Sequence, residues 1–124
     1  MDTGTDSYKR TMAEIKANKK TKILLVDDEQ ETLDLISEYL VEKGYDLATS
    51  ANAEQAITMV EQENYQIGII DLHLPGMTGS ELLKLIKKMR SNIQVIMITG
   101  YGTIRDAVEC MKLGASDFIT KPIL

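Results

Sequence analysis

Polar residues follow directly on short apolar runs at four places in this chain. Asp27 and Asp28 follow Ile23-Leu24-Leu25-Val26, and Asp71 follows the run 66–70. Thr99 ends the run 93–98, and Lys121 follows Asp117-Phe118-Ile119-Thr120. Singly, each has an ordinary explanation. An Asp after a strand is usually a cap or turn former, Thr99 can cap the next helix, and a lysine before proline is simply extended. Jointly they say more. If the runs are parallel strands of one sheet, all these residues lie at its carboxyl edge, where open α/β sheets bind ligands. Three carboxylates there are in conflict, since like charges about 4–5 Å apart repel by several kcal/mol at the dielectric of a protein surface. A hard divalent cation relieves the conflict, and oxygen ligands with room for water suit Mg²⁺ best. A metal ion, the Lys121 ammonium and the Thr99 hydroxyl around one carboxylate suit a transferring phosphoryl group, whose oxygens need neutralising. Asp71 is then the nucleophile, and its product is an acyl phosphate.

The elements that must position these residues alternate. After the first apolar run, a helix is expected from about Glu29 to Lys43, with Leu33, Ile36 and Leu40 on one face and Gly44 as its stop. Residues 45–49 read as a less apolar edge strand. Asn52 caps a helix carrying Ala53, Ala56, Ile57 and Val60. The loop Leu74-Pro75-Gly76-Met77 leads to a helix from about Thr78 whose inner face is read as Leu82, Leu85, Ile86 and Met89. Thr103 opens a helix with Ile104, Ala107, Val108 and Met111 inside, stopped by Gly114. Met89 and Met111 are accordingly read as core filling. Five strands alternating with four helices predict an α/β fold, a doubly wound five-stranded parallel sheet of order 2-1-3-4-5 (flavodoxin-like).

Residues 1–21 differ from the rest. They are polar and read as a disordered extension, a tag remnant or a short helix, since Tyr8, Met12 and Ile15 fall at i, i+4 and i+7 behind a possible Ser7 cap. Composition bounds the function. The 124 residues carry a net charge of −5, which argues against direct nucleic-acid binding by counterion release. No apolar run is long enough for a bilayer, so no membrane contact is expected. One cysteine, Cys110, allows no internal disulfide and fits a reducing cytoplasm.

Four blocks make the pattern specific: Ile23-Leu24-Leu25-Val26-Asp27-Asp28-Glu29, Asp71-Leu72-His73-Leu74-Pro75-Gly76-Met77-Thr78-Gly79, Ile98-Thr99-Gly100 and Asp117-Phe118-Ile119-Thr120-Lys121-Pro122. They resemble the motif blocks of response regulator receiver domains (CheY-like) of two-component systems, over residues 22–124. The run Ile98-Thr99-Gly100-Tyr101-Gly102-Thr103, with Met111-Lys112-Leu113-Gly114-Ala115, is similar to receivers of the nitrogen-regulation (NtrC-like) type. The resemblance implies Mg²⁺ held by Asp28, Asp71 and the backbone carbonyl of His73, with Asp27 acting through water. It implies that Asp71 is the phosphoacceptor, that Thr99 and Lys121 meet phosphoryl oxygens, and that the Lys121–Pro122 bond is cis. On phosphorylation Thr99 would move inward and Phe118, the switch aromatic, would follow. The implied donor is a sensor histidine kinase or phosphotransfer protein, and the implied recipient is an output domain or partner protein, with a homodimer possible. Such a domain is a switch with self-catalysed phosphorylation and autodephosphorylation, not a conventional enzyme. The family fold ends with a fifth helix, which this sequence is not expected to form, so the domain reads as C-terminally truncated or covered there by another element. Tyr8, Met12 and Ile15 are the spare candidate.

Two other functions compete. A Mg²⁺-dependent phosphatase with an aspartate nucleophile would need an Asp-x-Asp pattern on the first strand, whereas Asp27 and Asp28 are adjacent. A receiver used purely for docking would not need the chemical residues that are all present here.

Overall fold

Among the described residues the runs read as strands form strands and the stretches read as helices form helices. In the computed structural model, which describes residues 21–121, the order is β1 (Lys22–Val26), α1 (Gln30–Glu42), β2 (Asp46–Ser50), α2 (Ala53–Gln62), β3 (Ile67–Asp71), α3 (Gly79–Met89), β4 (Gln94–Thr99), α4 (Ile104–Lys112) and β5 (Asp117–Thr120). The expected helix around Tyr8, Met12 and Ile15 and the Lys121–Pro122 bond lie outside the described residues.

The strands form one parallel sheet of order β2-β1-β3-β4-β5, as the alternation requires. Its register pairs Val26 with Ser50 and Ile70, Asp71 with Ile98, and Thr99 with Thr120. The residues that end the strands therefore come out level at one edge. β3 is buried along its whole length and β1 along all but its first residue, which is why both read as continuous apolar runs. β2, at the edge, is mostly half-exposed.

One side of the sheet, with Leu24, Val26, Ile70, Val95 and Met97, packs against α2, α3 and α4. The other, with Ile23, Leu25, Ile67, Ile69, Ile96, Ile98 and Ile119, packs against Leu33, Ile36 and Leu40 of α1. Helix starts follow the expected chemistry. Asn52 accepts the Gln55 N–H at 2.8 Å, and Thr78 accepts the Glu81 N–H at 3.2 Å. Thr103 and Asp106 form a reciprocal capping box, with N–H donations at 3.0 and 3.1 Å. At the end of α4, Gly114 takes φ 102°, a left-handed conformation that glycine adopts without a Cβ clash.

Two helix faces differ from the sequence reading. In α3 the buried apolar residues are Leu82, Leu83 and Ile86, while Leu85 and Met89 are exposed. In α4 the residue turned fully inward is Cys110, and Ile104 (86% exposed), Val108 and Met111 face outward, with Ala107 half-buried. Met89 and Met111 are thus not core filling. Periodicity detects an apolar stripe, but the ends of the helix set its rotation. The α4 phase is fixed by the capping box before it and by the Ala115 N–H donating to the Cys110 carbonyl at 3.0 Å after it. Burial, then the charges of Glu109 and Asp106, pushes the Cys110 thiol pKa up, which leaves it inert.

Candidate functional site

Backbone bonds that run just past the strand ends hold the polar residues in place. The Asp27 N–H donates to the Ser50 carbonyl at 3.1 Å, the Leu72 N–H to the Ile98 carbonyl at 2.8 Å, and the Lys121 N–H to the Thr99 carbonyl at 2.7 Å. Residues far apart in sequence thereby meet at the carboxyl edge. One carboxylate oxygen from each of Asp27, Asp28 and Asp71 lies within 4.8 Å of the others. Asp27 is fully buried, Asp71 is 4% exposed and Asp28 faces solvent. Lys121 reaches into the group, its Nζ 2.9 Å from Asp27 Oδ2 and 3.6 Å from Asp71 Oδ2. It also pairs with Glu29.

The electrostatics follow from this crowding. Burial, then the charges of Asp27 and Asp28, pushes the Asp71 carboxyl up to about 6. Lys121 and the His73 N–H, which donates to Asp71 Oδ1 at 3.2 Å, pull the other way and do not cancel it. For Lys121, burial favours the neutral amine. Hydrogen bonds to Glu29 and Asp27, with the charges of Asp27 and Asp71, outweigh that and hold its pKa above the ordinary lysine value. One ammonium among several carboxylates leaves an excess of negative charge with open access. An oxygen-lined place with a charge deficit of this kind fits a hard divalent cation.

Thr99 is fully buried, and its Oγ1 accepts the Tyr101 N–H at 3.1 Å, so the hydroxyl is tied to its own loop. The His73 side chain is exposed and meets Tyr101 edge-on, ring centroids 6.3 Å apart, where both flank the mouth of the pocket. Phe118 is half-buried and packs against the α2–α4 side of the core. The structure thus brings together Asp27, Asp28, Asp71 and Lys121, with Thr99 at the end of the adjacent strand β4 and Phe118 inside β5, paired with Met97.

Three residues of the site were not identified from sequence. Glu29 is the N-cap of α1 but makes no capping bond there, because its side chain is turned to Lys121. Its place in the run Asp27-Asp28-Glu29 was the available signal. A Cβ on Gly102 would stand 2.6 Å from Thr99 Cγ2 and 2.7 Å from the Phe118 ring, so this glycine lets the Thr99 loop lie against the aromatic. A Cβ on Gly79 would stand 2.2 Å from the Asp71 carbonyl oxygen and 2.6 Å from Leu72 Cα. The Gly79 N–H also donates to the Leu72 carbonyl at 2.7 Å, clamping the chain that carries Asp71. Because the opposing atoms are backbone, they cannot swing aside. Gly79→Ala is expected to cost at least about 2 kcal/mol by urea denaturation, in the range of overpacked sites. A loss below about 0.5 kcal/mol would mean that this loop yields freely.

Among known proteins, the family model for the response regulator receiver domain matches residues 23–124. The NtrX-like response regulator of Rickettsia bellii is 37% identical over 102 residues, covering 81% of this chain and 21% of the relative. The chain spans about a fifth of the length of the curated relatives it matches. A CheY-like receiver domain protein of Methanospirillum hungatei superposes with a TM-score of 0.81 at 33% identity, over 85% of this chain and 84% of that one. A response regulator of Burkholderia pseudomallei, solved with a phosphorylated aspartic acid, a calcium ion and citrate, gives 0.80 at 25% identity, over 85% and 62%.

Proposed function

The chain belongs to the response regulator receiver domains, and on that premise we propose that Asp71 is its phosphoacceptor, in a Mg²⁺-dependent switch. The observation that carries this is the meeting of Asp27, Asp28 and Asp71 within 4.8 Å, with Lys121 3.6 Å from the Asp71 carboxylate. The donor is the phosphohistidine of a sensor kinase or phosphotransfer protein. Its N–P bond breaks as a bond forms from an Asp71 carboxylate oxygen to phosphorus, and the histidine leaves neutral once protonated. The chain catalyses this transfer itself, and later the attack of water on the acyl phosphate, which returns inorganic phosphate and the free carboxylate.

Asp28, Asp71 and the His73 carbonyl would hold Mg²⁺, with Asp27 acting through water. When bound, the ion neutralises phosphoryl oxygens as charge gathers on them. The residues of the chain do the rest. Lys121, kept charged by its acidic neighbours, faces a second phosphoryl oxygen. Asp71 offers one oxygen to the His73 N–H, which orients the carboxylate. Thr99 can exchange its local bond to the Tyr101 N–H for one to the third phosphoryl oxygen. That movement draws the Thr99 loop inward, and Phe118, pressed close to the same loop at Gly102, follows. An output domain or partner protein reads the change; a homodimer is one form such a partner can take. The site is proposed to work in the cytoplasm, where the kinase signal is delivered. No described helix is long and apolar enough to cross a membrane.

The test is intact mass after incubation with Mg²⁺ and acetyl phosphate, because the chain has no Trp to report by fluorescence. The wild type is expected to gain one phosphoryl group only when Mg²⁺ is present, and Asp71→Asn to gain none. A folded, Mg²⁺-binding wild type that gained nothing would leave a docking module as the better reading. Gain persisting in Asp71→Asn would move the acceptor elsewhere.

A further inference from the structure

The nearest partner of the Lys121 ammonium is not the proposed phosphoacceptor. Its Nζ stands 2.9 Å from Asp27 Oδ2 and closer still to Glu29 Oε1, but 3.6 Å from Asp71 Oδ2, too far for a hydrogen bond. Asp27, Glu29 and Lys121 close a ring. The Glu29 N–H donates to Asp27 Oδ1 at 2.9 Å, while Asp27 Oδ2 and Glu29 Oε1 face the same ammonium. Buried Asp27 thus fixes the backbone from which the Glu29 side chain starts, and that side chain crosses from the end of β1 to the end of β5. Glu29 forgoes a local use to do so. It occupies the N-cap of α1, where its side chain makes no capping bond.

We propose that Glu29 is a positioning residue for phosphoryl transfer, holding the Lys121 ammonium at the pocket with one donor left for a phosphoryl oxygen. This rests on the reading of Asp71 as phosphoacceptor. An ammonium has three N–H donors and no acceptor. With Glu29 and Asp27 beside it, one donor is left for a group carried on Asp71, whose own oxygen stands too far to take it. Asp27 cannot supply this hold alone, because a divalent cation at the aspartates would share its charge. Glu29 is not among the proposed ligands, so its hold on the lysine does not depend on the metal. The lysine stem is flexible, and fixing its tip in advance removes a search that the transfer would otherwise include.

Two variants separate this role from a plain surface ion pair, which would add little. Glu29→Ala removes the partner, and Glu29→Gln keeps an oxygen at the same reach. The Glu29 side chain is 61% exposed, so both variants are expected to fold. The first readout is nitrogen-edited NMR of the whole chain with saturating Mg²⁺. Exchange of the Lys121 ammonium protons with water should speed at least about fivefold in Glu29→Ala and stay within about twofold in Glu29→Gln. The second is phosphoryl gain from acetyl phosphate, expected to slow at least about fivefold in Glu29→Ala and to be no slower in Glu29→Gln. The sign is diagnostic. Removing a negative charge near an anionic donor speeds transfer by electrostatics alone, so slowing in a folded Glu29→Ala arises through the lysine. Unchanged ammonium exchange in Glu29→Ala, or faster exchange with transfer as fast as in wild type, would overturn the proposal. A wild type that gained no phosphoryl group while the exchange difference held would instead overturn the acceptor reading, and the role in transfer with it.

Discussion

Lys121→Met is expected to lower the stability of the metal-free domain near pH 7 by about 3 kcal/mol, which at this size is roughly 10–20 °C in Tm. Methionine keeps much of the stem and deletes the charge. The loss arises because Asp27 is fully buried and meets the Lys121 ammonium at 2.9 Å, so removing the cation strands a charge where water cannot reach. Breaking a buried pair costs more than the pair is worth against an apolar replacement, so the figure measures the stranded carboxylate. The pH dependence has a definite sign. A lysine whose folded pKa is raised above 10.5 contributes its full stabilisation below that value and loses it only as pH rises further. Alkaline conditions should therefore close the gap between wild type and variant. Mild acid should also narrow it, because protonating Asp71, whose carboxyl stands at about 6, removes one of the charges that Lys121 offsets. Thermal melts by circular dichroism in EDTA across pH decide the matter, and a variant melting within about 2 °C of wild type near pH 7 would show that the pairs add no stability.

The strand order and the edge of the sheet that carries chemistry were legible because each strand ends in a polar residue, and a parallel sheet sends all those ends to one side. Asp27, Asp71 and Lys121 could be placed together on that ground before any contact was known. Glu29 was not placed with them, since it reads as the first residue of the helix that follows β1, where an acidic side chain already suits the helix N-terminus. Only the fold shows that its side chain is taken by Lys121, 92 positions later. The close approaches at Gly79 and Gly102 were hidden for a related reason. A missing Cβ matters only through what another segment brings into its place, here the Asp71–Leu72 backbone and the Phe118 ring. The α4 face differs from the periodicity because Ile104, Val108 and Met111 make the stronger stripe, while it is Cys110 that packs into the core. Hydrophobic weight along a helix and the direction it faces are set by different residues.

Asp71→Asn is expected to raise the stability of the metal-free domain near pH 7 by about 2 kcal/mol while abolishing phosphoryl gain. The Asp71 carboxyl stands at about 6 in the fold against an ordinary 3.8. Between those values the native state binds more protons than the unfolded chain, so this group lowers stability as pH rises through the window. Above it the ionised carboxylate, buried beside Asp27 and near Asp28, is a standing cost. Two pKa units correspond to about 3 kcal/mol, and partial solvation reduces that to the figure given. An amide at position 71 cannot ionise and escapes the cost. The advantage of Asp71→Asn should accordingly fade towards about pH 4, where the wild-type carboxyl is itself protonated. Mg²⁺ should act in the opposite sense, stabilising wild type more than the variant, since a cation is repaid most where repulsion is greatest. Urea denaturation of both proteins at about pH 4 and pH 7, with and without Mg²⁺, separates these effects. A variant less stable than wild type near pH 7 without metal would show that Lys121 and the His73 N–H already satisfy Asp71. The expected order carries a mechanistic meaning. A carboxylate that costs the fold stability until a cation arrives is one whose environment is organised for metal and phosphoryl charge, and the same repulsion that weakens the empty domain holds the site ready to bind them.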